Sequence, residues 1–223
     1  ERMHMSEITI CYGMTETAPV SAQSSTLDSV ERRVGTVGRV HPHLEIKIVD
    51  KNGKVVPRGK LGELCVRGYS VMLGYWEDND KTGEVIDVAK WMHTGDIAEM
   101  DDEGFVKIKG RIKDVVIRGG ENLFPKEIED FLYTHPDVSD VQVIGLPDAR
   151  YGEELCACII LHDHHQANEE EIRKYCAEHI SHNKVPRYVR FFTEFPMTAS
   201  GKAQKFKLQE FMRQELNLME DIA

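Results

Sequence analysis

A chain of 223 residues, 41% hydrophobic and 30% charged, can bury a substantial core in one or two domains and has the balance of an ordinary globular protein. Its net charge of -10 argues against nucleic acid or an anionic membrane as a partner, although a few placed cations and backbone amides can still hold a small anion. No stretch approaches the ~20 apolar residues of a transmembrane segment, residues 1–6 carry no apolar signal-peptide core, and five cysteines follow no familiar disulfide spacing. That pattern suits a reducing compartment: the cytoplasm, or the mitochondrial matrix in a eukaryote.

In chain order, Ile8-Thr9-Ile10-Cys11-Tyr12-Gly13 reads as a short buried strand entering a tight turn, and so abrupt a start suggests a piece of something longer. Residues 34–109 predict short strands broken by Gly, Pro, Asn and Asp. Residues 44–49 place Leu44, Ile46 and Ile48 on one face before an Asp50-Lys51-Asn52-Gly53 turn. Residues 62–67 turn Leu64 and Val66 inward, and Asp101-Asp102-Glu103-Gly104 leads into a strand at 105–108. The expectation is a small antiparallel β-barrel-like subdomain.

After Gly110 the texture changes. A strand at 114–117 precedes Gly119-Gly120, and Pro125 opens a helix that presents Ile128, Phe131 and Leu132 on one face and stops before Pro136. Strands are predicted at 141–144 and 155–161. Asn168 and Glu171 have capping-box spacing for a helix whose stripe is Ile172, Tyr175, Cys176, His179 and Ile180. A strand at 188–195 and a helix at 205–216 complete an α+β unit. The overall class is α/β and α+β, with the boundary at residues 110–114.

Four constellations carry chemistry. Tyr12-Gly13-Met14-Thr15-Glu16 sets an aromatic face, a turn, a hydroxyl and a carboxylate within five residues, a set able to meet a purine and a phosphate-bound metal. By itself it also reads as a strand end with a capping threonine. Thr94-Gly95-Asp96 offers a carboxylate that can accept ribose hydroxyls, or is a common turn. Gly110-Arg111-Ile112-Lys113-Asp114 brings Arg111 to the domain junction, or is a surface charge pair. Pro196-Met197-Thr198-Ala199-Ser200-Gly201-Lys202 is a permissive loop projecting one lysine, a compact cation suited to a carboxylate and a phosphoryl oxygen together.

In order and spacing the four resemble the core motifs of the acyl-adenylate-forming enzymes, and the resemblance runs over essentially the whole chain, with Gly62-Glu63-Leu64, Gly74-Tyr75 and Lys184-Val185-Pro186. Residues 119–125 with Glu127-Ile128-Glu129 resemble the acyl-CoA synthetase branch. The chain looks closest to the medium-chain acyl-CoA synthetase family member 2 type, by residues 69–76, His135-Pro136 and Gln204-Lys205-Phe206-Lys207. The resemblance implies that residues 1–109 are the C-terminal remnant of a large N-terminal domain, 110–114 a hinge, and 115–223 a mobile C-terminal lid. It implies ATP (leaving as AMP), Mg²⁺, CoA and a small carboxylic acid as ligands. Tyr12 would flank adenine, Thr15 would contact the α-phosphate, Glu16 would hold Mg²⁺, and Asp96 and Arg111 would bind the ribose. Lys113 matches the hinge position, Gly119 and Gly120 the pantetheine tunnel, and Lys202 the catalytic lysine of adenylate formation.

Two departures temper the expectation. Residues 181–186 follow the superfamily's version of that segment only loosely, and the Ser/Thr/Gly-rich phosphate loop ending in Pro-Lys-Gly has no match. The parent protein is therefore expected to be a fatty acid (acyl)-CoA ligase and the 223 residues alone to be inactive. The alternatives are a carrier-protein-loading relative or a non-catalytic nucleotide-binding fragment. The His162, His164 and His165 run reads as a solvated loop, Cys156 and Cys158 as buried packing on one strand face, and Tyr75 and Trp76 as barrel packing.

Overall fold

The computed structural model describes residues 4–5, 7–199 and 201–218; Ser200 of the lysine loop lies outside them. The chain divides into two compact units, Glu1–Ile112 and Lys113–Ala223. No helix among the described residues is long and apolar enough to cross a membrane.

The first unit begins with β1 (Cys11–Tyr12), β2 (Ala22–Gln23), the short helix α1 (Val30–Gly35) and β3 (Arg39–Val40); the three strands form an antiparallel sheet in the order β1-β2-β3. There follow β4 (Leu44–Val49), β5 (Gly62–Gly68), the helix α2 (Asn79–Val85), β6 (Met92–Met100) and β7 (Val106–Arg111). These four strands hydrogen-bond in chain order as an antiparallel meander. The predicted alternation sets the register: Ile46 pairs with Val66 and Ile48 with Leu64. Ile48, Leu64, Ala98, Met100 and Val106 form the core beneath. The first turn is closed by Asp50, whose Oδ1 accepts the Asn52 and Lys54 amides at 2.8 and 3.0 Å.

The barrel-like subdomain expected for this region is not formed. Among the described strands β4 and β7, the two ends of the meander, do not pair with each other; closing a filled barrel takes about five to eight strands. The shared face of an antiparallel meander gives the same alternation as a barrel, so periodicity cannot separate them. Trp76 and Tyr75 are not barrel packing either: Trp76 is 90% exposed, and the Tyr75 hydroxyl is engaged elsewhere.

The second unit contains β8 (Val116–Arg118), β9 (Glu121–Leu123), α3 (Pro125–Leu132), β10 (Val138–Asp148), β11 (Gly152–Leu161), α4 (Glu169–His179), β12 (Tyr188–Phe191) and α5 (Lys205–Glu215). Its five-stranded sheet is mixed, with β12 parallel to β11 and the other pairs antiparallel. β11 is buried on both faces. Leu155, Ala157 and Ile159 join Ile128, Leu132, Ile172 and Cys176 of α3 and α4, whereas Cys156 and Cys158 join Leu208 and Met212 of α5. That explains an unbroken apolar run where a half-exposed strand would alternate. The capping box of α4 is complete, Glu171 N donating to Asn168 Oδ1 at 3.0 Å and Asn168 N to Glu171 Oε2 at 2.9 Å.

Candidate nucleotide site

Gly13 sets the first element of the site. A Cβ there would fall 1.6 Å from the Pro19 carbonyl oxygen, so only glycine lets the chain double back between β1 and β2. The next residues, Thr15–Thr17, make one 3₁₀ turn. It is pinned from inside by the fully buried Thr17, whose hydroxyl donates to the Met14 carbonyl at 3.1 Å. Thr15 is left exposed and Glu16 half-buried. One Glu16 oxygen accepts the Tyr75 hydroxyl at 3.0 Å, and its carbonyl accepts the Met72 amide at 2.8 Å.

Asp96 is the centre of the arrangement. Its strand, β6, carries register shifts on both sides of the Gly95-Asp96 step, at Glu63/Cys65 against β5 and at Ile97/Ala98 against β7. Such bulges re-aim side chains next to functional sites. Asp96 is 7% exposed. Its Oδ2 accepts the Tyr12 hydroxyl at 2.6 Å, and its Oδ1 lies 3.2 Å from Nε of Arg111, its cross-strand neighbour on β7. Burial, followed by the hydrogen bond to Asp96, pushes the Tyr12 phenol well above its ordinary range. Tyr12 therefore remains a neutral donor. Burial and then the bond to Glu16 raise Tyr75 as well.

Tyr12, Asp96 and Arg111 are thus brought together, and Glu16 gains Tyr75, a partner read in the sequence only as packing. The link spans 59 residues; the Gly74-Tyr75 pair within the resemblance was its one available signal. A half-exposed carboxylate is a hard oxygen donor of the kind Mg²⁺ takes singly or in pairs beside substrate phosphates, so Glu16 fits the role expected of it.

The residues expected from the second unit are presented singly. Lys113 is exposed on the 3₁₀ turn Ile112–Asp114. Gly119 and Gly120, at φ 60° and 86°, form the two-residue turn between the paired Arg118 and Glu121. Positive φ at both central residues is what such a hairpin turn requires, so turn geometry alone accounts for this glycine pair. A Cβ on Gly120 would meet nothing within 4 Å. Lys202 is exposed at the end of a turn in which Thr198 N donates to the Lys202 carbonyl at 2.8 Å and Gly201 N to the Thr198 carbonyl at 3.0 Å.

The decoys resolve simply. Cys156, Cys158 and Cys176 are fully buried; burial holds the Cys176 thiol at about 11, and Cys158 together with burial raises Cys156. His162, His164 and His165 are exposed, and His165 pairs with Asp137 at 2.5 Å.

Comparison with known proteins fits this geometry. Residues 1–76 match the family model of the AMP-binding enzymes, and residues 127–202 that of the AMP-binding enzyme C-terminal domain. The chain belongs to the AMP-binding enzyme family. Its sequence relatives include acyl-CoA ligases and synthetases. It is 52% identical over 218 residues to the mitochondrial medium-chain acyl-CoA ligase ACSF2 of Bos taurus, covering 97% of this chain and 35% of that protein. It is also 52% identical over 219 residues to the putative acyl-CoA synthetase YngI of Bacillus subtilis, covering 98% and 40%. Among solved structures, o-succinylbenzoate CoA synthetase (MenE) of Bacillus subtilis, in complex with the acyl-adenylate intermediate OSB-AMP, aligns with a TM-score of 0.85 at 32% identity, over 91% of this chain and 41% of that one. The chain therefore spans well under half the length of these relatives.

Proposed function

We propose that this chain is the nucleotide-gripping and lysine-bearing part of an ATP-dependent fatty acid (acyl)-CoA ligase, which converts ATP, a carboxylic acid and CoA to acyl-CoA, AMP and pyrophosphate through an acyl-adenylate. The observation that carries the reading is Asp96, buried and fixed from both sides by Tyr12 and Arg111. A carboxylate so oriented suits the two hydroxyls of a ribose. Tyr12 would flank the adenine, and the exposed Thr15 would contact the α-phosphate.

In the first half-reaction the substrate carboxylate attacks the α-phosphorus and pyrophosphate leaves. Both reactants are anions, so placed positive charge does much of the work. Lys202 supplies one such charge; Mg²⁺, when held by Glu16, would neutralise further charge on the phosphates. In the second half-reaction the CoA thiol attacks the acyl-adenylate carbonyl and AMP leaves. The exposed Gly119-Gly120 turn, without side chains, would let the pantetheine arm pass, and Lys113 would serve as the hinge. The five free cysteines suit a thiol-reducing compartment, cytoplasm or mitochondrial matrix. A medium-chain acid, the class named for the bovine relative, is the first substrate to try.

The test is acid-dependent ATP–pyrophosphate exchange and CoA-thioester formation by the complete protein. Both should proceed, and the 223-residue chain alone should give neither. Exchange without thioester formation would move the protein to another branch of the family. Robust exchange by the chain alone would overturn the division proposed.

A further inference from the structure

On the face of the β5–β6 ladder that carries His93 and Gly95 lies a second polar cluster, made by Glu63, Cys65 and His93. Glu63 and Cys65 are two apart on β5 and so share a face, and His93 is the cross-strand partner of Cys65 on β6. One donor atom from each lies within 4.8 Å of the others. Cys65 Sγ is 3.6 Å from His93 Nδ1, and Glu63 Oε2 is 2.8 Å from the same nitrogen. The site is sheltered without being sealed: Cys65 is fully buried, while the Glu63 and His93 side chains are 20% and 29% exposed.

We propose that Glu63, Cys65 and His93 bind a borderline-soft divalent metal ion of the zinc class. The donor set is what selects it, since a thiolate, an imidazole and a carboxylate together suit Zn²⁺ rather than the oxygen-seeking Mg²⁺ or Ca²⁺. The distances fit. With Zn–S about 2.3 Å and Zn–N about 2.0 Å, a tetrahedral site sets sulfur and nitrogen about 3.5 Å apart, close to the 3.6 Å found. The oxygen and nitrogen would stand about 3.3 Å apart, so Glu63 must withdraw by about half an ångström from its present hydrogen bond. Binding through Nδ1 leaves the imidazole proton on Nε2, which faces Asp87 Oδ2 at 3.8 Å. A carboxylate behind a metal-binding histidine is the usual orienting arrangement. The thiol proton leaves to solvent as the metal enters. Three protein donors leave a fourth position for water.

The placement has a consequence for the nucleotide site. The other Glu63 oxygen accepts the Gly95 amide at 3.1 Å, and Gly95 immediately precedes Asp96. A metal on Glu63 would fasten this strand pair beside Asp96. The proposal itself stands on the cluster geometry and is independent of the ligase reading.

The experiment is titration of the 223-residue chain with Co²⁺ alone, followed by Zn²⁺ competition against a chromophoric chelator. It is done in a Cys11→Ser background, because Cys11 is the one exposed thiol. A thiolate-to-Co²⁺ charge-transfer band with tetrahedral d–d bands should appear at one equivalent and be displaced by Zn²⁺. Cys65→Ser should abolish the charge-transfer band. His93→Gln, which leaves the buried thiol untouched, should weaken binding at least about tenfold, and Asp87→Asn should weaken it by about tenfold as a positioning residue. No band at millimolar Co²⁺, or a band that survives His93→Gln at unchanged affinity, overturns the proposal. If Cys65→Ser fails to fold by circular dichroism, the His93→Gln result decides.

Discussion

The two units handle their polar groups in opposite ways. In residues 1–112 Tyr12 and Arg111, both expected to meet ligand, are tied to Asp96, and Glu16 is tied to Tyr75, while Thr15 is exposed. In residues 113–223 the expected ligand-facing residues, Lys113, Gly119, Gly120 and Lys202, lie exposed on turns. The tied polar groups of that unit lie elsewhere. Arg118 and the 1%-exposed Glu154 stand 2.9 Å apart, Arg187 is 2.6 Å from Asp148, and the Arg118 guanidinium donates to the Asn183 carbonyl at 2.9 Å. The contact between Arg118 Nε and Glu154 is not aligned as a hydrogen bond, so charge attraction rather than a directed bond holds it. The difference teaches that the network in the first unit would pre-organise the proposed site, whereas those in the second hold the fold and would leave the proposed chemistry to exposed turns.

The largest effect that would sharpen this comparison is on stability. Glu154→Ala leaves Arg118, 16% exposed, without its nearest counter-charge. Removing one partner of a buried pair costs about 3–5 kcal/mol. Urea unfolding of the 223-residue chain should register a loss of that order in the transition of residues 113–223. A loss below about 1 kcal/mol would place the pair among surface bridges and break the contrast. Next comes Lys202→Ala in the complete protein. One charge aimed at a reacting centre is worth about 10²–10³ in rate, so adenylate formation should fall by that factor. Thioester formation from supplied acyl-adenylate should be spared, and the unfolding midpoint should not move, because the lysine side chain is exposed. Equal loss in both half-reactions would remove Lys202 from its assigned step.

Tyr12→Phe asks the converse question of the first unit. It removes one hydrogen bond while keeping the ring, a change worth about 0.5–1.5 kcal/mol. Nucleotide affinity in the complete protein should weaken by up to about tenfold, through a less firmly held Asp96. A loss beyond about a hundredfold would mean that the hydroxyl itself touches ligand.

What could be read from the sequence follows the range of the interactions. The Asn168–Glu171 box, the Asp50 turn and the alternation of β4 are decided within a few residues, and each is present as predicted. The short helices α1 and α2 escaped notice although Ser29 and Asp78 cap them, because neither carries an apolar stripe long enough to show periodicity. The parallel pairing of β12 with β11, the failure of β4 to meet β7 and the Tyr75–Glu16 bond depend on how distant segments come together. No local pattern encodes them. The Tyr12–Asp96 bond spans 84 residues, and only the family resemblance suggested that the two belong to one site.

The smallest effect is a pH dependence confined to the second unit. Asp148 Oδ1 accepts the Tyr151 and Arg150 amides at 2.8 and 2.9 Å, and Arg187 donates to its other oxygen at 2.6 Å. The Tyr151 amide first, then that of Arg150 and the Arg187 charge, hold this carboxyl below the usual carboxylate range. A folded pKa below the unfolded value of about 3.9 means that the fold prefers the charged form. Its stabilisation is full above the unfolded value and is lost as pH falls through the lower folded one. Asp148→Asn keeps an oxygen for the two amides but has no proton to gain and no charge for Arg187. The variant should therefore be less stable than the wild type by a fixed margin at neutral pH, and that margin should shrink below about pH 4. Thermal unfolding by circular dichroism from neutral to about pH 3 measures it. A margin that is independent of pH would mean that neither the two amides nor Arg187 favours the charged carboxylate in the fold, which would strip the second unit of one of the charge contacts on which its contrast with the first depends.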